Sequence, residues 1–310
     1  MGELRVKGKE IVIIGSINMD IVNFVKKHPL PGETIHGYGT QYFPGGKGAN
    51  QAVAVAKSGG SAAMVGAVGE DGFGGELIAA LADCGVRTDA VTRKPGTSGL
   101  AFITVSESGE NNIILSSGAN GQLTADDVSL SRLGAAGAVL LQNEISPDVN
   151  RYVLRQAAEA GVPVYYNPAP AMKLPDELYP LVGCLVANET EAEVLTGLSV
   201  QGEADARQAA AALLATGVRS VVVTLGTKGA LYCGPEGDVK VDAFPVDAVD
   251  TTAAGDTFIG AFAASQVQGR DVRWALRYAS AAAAITVTRK GAQNAIPVAE
   301  EIEAFLRDRA

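Results

Sequence analysis

Short apolar segments alternate along most of the chain with longer segments whose apolar residues recur at helical spacing. The short segments are almost continuously apolar, as in strands that are covered on both faces. We predict strands at residues 11–17, 63–68, 138–142, 163–166, 184–187 and 220–224. We predict helices at residues 49–57, 75–83, 147–160, 189–195, 203–215 and 257–265.

This alternation favours an α/β fold with a mainly parallel sheet that is covered by helices. Three glycines, Gly85, Gly161 and Gly217, stand where glycines are expected just after a helix ends. We expect right-handed crossovers, with ligands gathering where the carboxyl ends of the strands meet. The polar residues that directly follow the strands are therefore the first candidates for function.

Two regions depart from this pattern. Strand-like segments at about 18–25 and 34–43 are joined by a Pro- and Gly-containing connection, and residues 98–116 alternate and turn as a hairpin. We interpret them as one small sheet, a discontinuous lid on a single domain spanning 1–310, with an apolar face suited to dimerisation. The alternative is that they are ordinary antiparallel edge strands.

Composition limits the functional classes. The hydrophobic content of 47% and charged content of 19% are ordinary for a globular protein. The net charge of −9 argues against a nucleic-acid surface, although a local positive site could still bind phosphate. The three cysteines are far apart in apolar stretches, which is typical of free thiols in a reducing compartment.

Targeting signals give a further expectation. The N-terminus shows no basic segment followed by an apolar run, and the alanine run at 281–284 is too short to span a bilayer. We therefore expect a cytoplasmic protein without a membrane partner.

The segment at residues 249–258 carries the most specific chemistry. Small residues lead directly into the predicted helix, so the N–H groups of Ala254, Gly255 and Asp256 are expected unpaired at an anion-binding helix N-terminus. A carboxylate beside a phosphate is costly unless it reacts. Asp256 is therefore a candidate base for a hydroxyl that attacks phosphorus. The alternative is that Asp256 only caps the helix.

Asn18 and Asp20 follow the first predicted strand. If this segment is extended, their side chains share one face, where an amide and a carboxylate can bind adjacent sugar hydroxyls. A turn explains the same two residue types.

A glycine-rich segment precedes the first predicted helix. Its glycines would let a ligand approach the backbone, and Lys47 and Asn50 stand near the helix start. Gln41 occupies the place of the first Walker A glycine, and the Rossmann spacing is absent after the first strand. Such neutral hydrogen-bonding groups suit a polyol better than a pyrophosphate. A solvated Lys47 beside a tight turn is the alternative.

Polar residues also follow three later strands. Glu144 comes after one of them, and Asn188 with Glu191 after the next, a pair that could hold water around Mg²⁺ or simply start a helix. The segment 224–229 closes another strand, and its hydroxyls and backbone could meet a nucleotide or form a plain turn.

Seven motifs occur in a recognisable order. They are GSINMD, PGGKGANQA, NPAPA, NETEAE, VTLGTKG, DTTAAGDTFIGA and TRKGAQ. Together they closely resemble the ribokinase family of carbohydrate kinases over residues 11–306. The resemblance implies a parallel α/β domain with a lid that usually dimerises. It also implies transfer of the ATP γ-phosphoryl group to O5 of D-ribose, with Mg²⁺ and a monovalent cation, usually K⁺.

The resemblance assigns residues to each part of the site. The base is Asp256, and the anion hole is formed by Ala253, Ala254 and Gly255. Ribose contacts fall on Asn18, Asp20, Gly46, Lys47, Gly48, Ala49, Asn50 and Glu144. The nucleotide region comprises Asn188, Thr224, Leu225, Gly226, Thr227, Lys228, Gly229 and Ser280, with Glu191 near Mg²⁺. The monovalent cation is assigned to a site formed mostly by backbone carbonyls, at Asp250, Thr252, Thr286, Arg289, Gly291 and Ala295.

Three positions depart from the family pattern. Ser280 stands where some members place a histidine near the nucleotide, Ala295 replaces a frequent serine by the cation, and Ala187 replaces a common proline. None touches the expected sugar or base. Rival functions are kinases for a deoxyribose, a nucleoside or a ketose, and a non-catalytic sugar-binding protein.

Overall fold

The computed structural model describes residues 9–309, which form two β-sheets and the helices around them. The strands are β1 Ile11–Ile14, β2 Asn18–Val25, β3 Gly37–Gly45, β4 Ala62–Gly69, β5 Arg87–Lys94, β6 Gly99–Ser106, β7 Asn111–Ser116, β8 Ala138–Leu141, β9 Val164–Tyr166, β10 Cys184–Asn188, β11 Val221–Thr224, β12 Ala230–Cys233 and β13 Val239–Val241. The helices are α1 Lys47–Lys57, α2 Gly72–Asp83, α3 Leu130–Ala135, α4 Pro147–Ala160, α5 Glu189–Thr196, α6 Glu203–Ala215, α7 Ala254–Val267, α8 Val272–Val287 and α9 Ala299–Arg307.

The large sheet has nine strands in the order β13-β12-β11-β10-β9-β8-β1-β4-β5. Strands from β11 to β5 run parallel, β12 runs antiparallel to β11, and β13, antiparallel to β12, returns to the common direction. The predicted mainly parallel α/β fold is therefore confirmed. Because the parallel strands end on one edge, the residues that follow β1, β8, β9 and β10 are brought side by side.

Helices cover both faces of this sheet, and strand alternation builds two separate cores. Ile11 and Ile13 join the core under α1, α2, α7, α8 and α9, whereas Val12 and Ile14 join the core under α3 to α6. Burial on both faces is the reason that these strands are continuously apolar in the sequence.

The second sheet has four strands in the order β3-β2-β6-β7, with β2 and β6 parallel and the outer pairs antiparallel. It shares no strand with the large sheet. The alternative that these segments are edge strands of the main sheet is therefore wrong.

Several predicted boundaries need correction, and two of them lie next to the site. The strand predicted at 11–17 ends at Ile14, and the chain bends before β2 begins at Asn18. The helix predicted to start at residue 257 starts at Ala254. None of the helices between residues 9 and 309 has the length and apolar character that crossing a bilayer requires.

Candidate active site

A cleft of about 850 Å³ lies between the second sheet and the start of α7. Its walls bring together predicted sugar contacts, the candidate base and part of the predicted cation region. The residues from these predictions are Asn18, Asp20, Gly46, Lys47, Asn50, Glu144, Glu191, Asp250, Thr252, Ala253, Asp256 and Gly291.

Asp256 lies in the first turn of α7, and its carboxylate is held from α1. Asn50 Nδ2 donates to Asp256 Oδ2 at 3.1 Å, and Gln51 Nε2 donates to Asp256 Oδ1 at 3.0 Å. The residue that precedes α7 is Ala253, and no side chain caps this helix. The alternative that Asp256 is a helix cap is therefore wrong.

The start of α7 offers fewer donors than the sequence suggests. The N–H of Ala254 donates to Thr251 O at 3.3 Å, so it is already paired. Within residues 9–309, no backbone acceptor is found for the N–H groups of Gly255 and Asp256. A Cβ added to Gly255 would meet no atom within 4 Å, so the missing side chain leaves room for a ligand.

Ala253 reaches this helix start with a φ of 59°, the only positive φ at a non-glycine residue among the described residues. The left-handed conformation costs an alanine about 1 kcal/mol. Such local strain is typical of functional turns, and here it turns the chain into α7 below the cleft.

Asn18 and Asp20 lie on β2 with their side chains on the face that lines the cleft. The alternative of a turn at these residues is therefore wrong. Asn120 Nδ2 donates to Asn18 Oδ1 at 2.7 Å, so the Asn18 amide group is left to donate. Asn120 Oδ1 also accepts a hydrogen bond from the Ile17 N–H. Asn120 was not predicted from the sequence, because it follows the hairpin and lies 103 residues after Ile17.

Glu144 lies shortly after β8 and is fixed from β1 and α1. Its Oε2 accepts from Ser16 Oγ at 2.6 Å and from the Lys47 N–H at 3.2 Å. Ser16 was also missed, because a serine at a strand end gives no distinctive signal.

The half-buried Lys47 faces four acidic groups of the cleft. Burial lowers the pKa of Lys47, but Asp256, Glu144, Glu191 and Asp20 together outweigh it and raise the pKa. The interpretation of Lys47 as a solvated residue beside a turn is therefore wrong.

The pKa values of the acidic groups are also raised, but here burial itself is the main cause. Burial, reinforced by Glu144 and Asp256, raises the pKa of Asp20 to about 7, against the lowering effect of Lys47. Burial also raises the pKa of Asp256, although Lys47, Gln51 and Asn50 lower it. A carboxylate whose pKa is raised is a stronger base, which suits Asp256 to take a proton.

The glycines before α1 serve the protein's own packing. A Cβ on Gly45 would collide with the Asp20 carboxyl, and a Cβ on Gly48 would lie 2.7 Å from Ser16 N. The N–H groups of Gly48 and Ala49 donate to Ser16, and neither residue lines the cleft. Gly45 and Gly48 therefore make room for Asp20 and Ser16, whereas Gly46 lines the cleft and its contact with a ligand stays a prediction.

Gly48→Ala tests this contact. We expect a loss of about 1–3 kcal/mol in the free energy of unfolding, because the new methyl group overlaps backbone atoms. Gly134→Ala is the matched control, because that helical glycine has open space around it and should gain about 0.4–1 kcal/mol. Urea unfolding measures both, and equal effects would contradict the packing argument.

Asn188 and Glu191 form a reciprocal cap at the start of α5. Asn188 Oδ1 accepts from the Glu191 N–H at 2.8 Å, and Glu191 Oε2 accepts from the Asn188 N–H at 3.0 Å. The helix-start interpretation is therefore correct, yet Glu191 also lines the cleft. Burial raises the pKa of Glu191, with Asn188 and Lys47 opposing.

Three of the six residues predicted for the monovalent cation, Asp250, Thr252 and Gly291, are joined by hydrogen bonds. Asp250 accepts from the N–H groups of Thr252 and Gly291, both at 2.9 Å. These bonds and Lys290 outweigh burial and lower the pKa of Asp250. The Thr286 hydroxyl is buried against Thr257, and the Arg289 guanidinium pairs with Glu301. Ala295 is fully buried.

The predicted nucleotide residues lie beside this cleft rather than in its walls. Asn188 pairs with Thr224 across β10 and β11, and a short turn at Gly226–Lys228 follows. None of the residues from Thr224 to Gly229, nor the buried Ser280, lines the cleft. The turn interpretation fits the backbone here, and the nucleotide assignment stays a prediction.

A doubly covered parallel sheet, a second sheet over its ligand edge and a carboxylate at a helix N-terminus together define a phosphoryl-transfer enzyme with a polar acceptor. The model of the pfkB family carbohydrate kinases matches residues 9–299. The chain therefore belongs to the pfkB family of carbohydrate kinases, and the resemblance drawn from the sequence is confirmed.

Individual relatives agree with this assignment. The chain is 40% identical over 301 residues to a ribokinase of Haemophilus influenzae, covering 96% of this chain and 98% of that protein. It is 38% identical over 301 residues to a deoxyribokinase of Salmonella typhi, with 96% and 98% covered. The structure of Arabidopsis thaliana ribokinase complexed with ribose and ATP superposes with a TM-score of 0.90 at 36% identity, with 97% and 99% covered.

Proposed function

We propose that this enzyme transfers the γ-phosphoryl group of ATP to O5 of D-ribose, giving D-ribose 5-phosphate and ADP. One observation carries the proposal: the Asp256 carboxylate stands beside the N–H groups of Gly255 and Asp256, in a cleft that it shares with Asn18, Asp20, Lys47 and Glu144. Asn50 adds support, because its buried Oδ1 has no hydrogen-bond partner among residues 9–309 and can accept from a donor such as a sugar hydroxyl.

The chain's own residues supply each part of an in-line displacement. Asp20 and Glu144 accept hydrogen bonds from ribose hydroxyls, and Asn18 and Lys47 donate to ribose oxygens. Asp256 takes the proton of the 5-hydroxyl as the O5–P bond forms and the bond from phosphorus to the ADP oxygen breaks. The N–H groups at the start of α7 stabilise the negative charge on the transferring group, worth about 3–4 kcal/mol for one donor.

Glu191 is the residue we assign to Mg²⁺. Its half-buried carboxylate faces the same cleft as Lys47 and Asp256, and Mg²⁺ needs few protein carboxylates when it keeps its waters and phosphate ligands. When bound, Mg²⁺ neutralises charge on the ATP phosphates.

The second sheet is suited to act as a lid. It presents Val22, Ile103, Ile113 and Leu115 to the cleft, so closure over ribose would exclude water and limit ATP hydrolysis. Phe102 and Ile114, which pair across β6 and β7 and do not line the cleft, are 41% and 71% exposed, which supports pairing of lids in a homodimer. We keep the cytoplasm as the expected location.

Replacing K⁺ should lower activity while the protein stays folded. The proposed cation carbonyls lie in two segments that Asp250 already ties together, so the cation would act by ordering the loop from Asp250 to Ala254. Rates in matched potassium, sodium and tetramethylammonium buffers, with circular dichroism in each, provide the measurement. Equal rates in all three buffers would contradict the cation assignment.

Steady-state release of ADP from Mg-ATP, with and without D-ribose, tests the function. We expect ADP release that depends on ribose, and ribose-independent or absent release would reject the proposal. The similarity to a deoxyribokinase makes 2-deoxy-D-ribose the second acceptor to compare. Faster turnover with 2-deoxyribose would reassign the acceptor and leave the phosphoryl transfer intact.

A further inference from the structure

A row of hydrogen-bonded amide side chains, which ends at the carboxylate of Glu191, lies along the carboxyl edge of the large sheet, behind the cleft. Gln142 directly follows β8, Asn167 directly follows β9, and Glu191 lies just after β10. These three strands are neighbours in the sheet. Gln51 projects into this row from α1 and is fully buried, so it contacts no ligand.

The hydrogen bonds fix every amide in one orientation. Gln51 Nε2 donates to Asp256 Oδ1 at 3.0 Å and to Asn167 Oδ1 at 3.4 Å. Because a carboxylate accepts only, Gln51 must present its NH₂ to Asp256 and its oxygen to the other side. That oxygen accepts from Gln142 Nε2 at 2.7 Å, which completes the arrangement.

The row also reaches the residue assigned to Mg²⁺. Asn167 Nδ2 donates to Val186 O at 3.0 Å and to Glu191 Oε2 at 3.4 Å. Gln51 therefore holds Asp256 and Asn167 with its two N–H bonds, and Asn167 in turn contacts Glu191. Asn50, by contrast, lines the cleft and bonds the other oxygen of Asp256.

We propose that Gln51, oriented by Gln142, is a positioning residue that holds the Asp256 carboxylate in register with the acceptor hydroxyl. The assignment rests on the proposed function, because it takes Asp256 as the base. Two hydrogen bonds from α1 restrain the carboxylate, one to each oxygen, so losing the Gln51 bond frees it to rotate about its remaining contact with Asn50. Misalignment of a base by a fraction of an ångström slows the chemical step without removing a substrate contact.

Gln51→Met is the direct test, because methionine keeps the volume and removes both polar ends. We expect kcat to fall about tenfold to a hundredfold, the range for losing one hydrogen bond to a charged group. The KM values for ribose and ATP should stay within about threefold. Ser265→Ala is the matched control, because this buried hydroxyl bonds only Ala261 O, away from the row of amides, and its loss should leave kcat unchanged.

A double-mutant cycle with Asp256→Asn separates positioning from general destabilisation. If Gln51 acts through the base, Gln51→Met should cause no further loss of kcat once Asp256 is asparagine. An equal loss in both backgrounds, or a wild-type kcat for Gln51→Met, overturns the inference. If Gln51→Met does not fold, Gln142→Met replaces it in the cycle, and we expect its kcat to fall about twofold to tenfold. An unchanged kcat in Gln142→Met also overturns the inference.

The outcomes for the two proposals remain distinguishable. A wild-type enzyme without ribose-dependent ADP release contradicts the proposed function. A wild-type enzyme with that activity, together with a fully active Gln51→Met, contradicts only the positioning role.

Discussion

Asp256→Asn should reduce kcat by roughly a hundredfold to ten-thousandfold, the contribution of a general base, while ribose still binds. Asparagine preserves the shape of the side chain but has one acceptor oxygen in place of two, so it keeps the bond from either Asn50 or Gln51 and turns an NH₂ towards the other. It cannot take the proton of the 5-hydroxyl. Because the N–H groups at the start of α7 remain, transition-state charge is still stabilised and turnover should not vanish.

Rapid-quench kinetics under single-turnover conditions, with ribose affinity from calorimetry, measure the two quantities separately. Ser265→Ala is the matched control, because Ser265 lies on the same helix and bonds only Ala261 O. Near-normal turnover in Asp256→Asn would reject the base. A large loss of ribose affinity with unchanged kcat would make Asp256 a binding residue instead.

Asp20→Ala should weaken ribose binding roughly a hundredfold or more. A buried carboxylate that accepts two hydroxyl hydrogen bonds loses about 1.5–3 kcal/mol for each. The KM for ATP should change little, because Asp20 lies on β2, on the face that lines the cleft, away from the predicted nucleotide turn. Asp242→Ala removes an exposed carboxylate and serves as the control. Equal losses for ribose and ATP would count against a sugar contact.

The same carboxyl group predicts a pH dependence of binding. With a pKa of about 7, Asp20 is mostly protonated at pH 6 and mostly ionised at pH 8. Because the ionised form accepts both hydroxyl bonds, ribose affinity should rise about tenfold between these pH values. Asp20→Asn should flatten this dependence in calorimetric titrations, and an unaltered pH profile would assign the effect to another group.

The same pKa makes the stability of the ligand-free protein fall with rising pH, whereas ribose affinity rises. The pKa of Asp20 in the folded protein lies above its ordinary value of 3.8, so the folded state holds a proton that the unfolded state has lost. This contribution is fully present below about pH 4 and is lost as the pH rises through about 7. The ligand-free protein therefore carries a stability cost at pH 8 that Asp20→Asn should relieve.

Much of the fold was predictable because burial leaves a plain mark on the sequence. The strands covered on both faces were located from their continuous apolar runs. β5 was missed because this strand at the sheet edge is rich in polar residues and partly exposed. α8 was missed because most of its alanine-rich turns are buried, which leaves no polar face to reveal a helical period.

The site was predictable only in part. Residues at strand ends and helix starts, such as Asp20, Glu144 and Asp256, carry chemistry that stands out among apolar neighbours. The residues that hold the site in place do not stand out in the sequence. Each bonds a partner more than 100 residues away in the chain: Gln51 bonds Asp256, Ser16 bonds Glu144, and Asn120 bonds Ile17. Such partnerships exist only after folding, so local patterns cannot show them.

A structure of the enzyme with D-ribose and a non-hydrolysable ATP analogue is the most direct test of the central claim. We predict an Asp256 carboxylate oxygen within hydrogen-bond distance, about 2.6–3.2 Å, of ribose O5, with the γ-phosphate against the N–H groups of Gly255 and Asp256. A ribose whose primary hydroxyl points away from Asp256, or a γ-phosphate remote from the start of α7, would contradict the account.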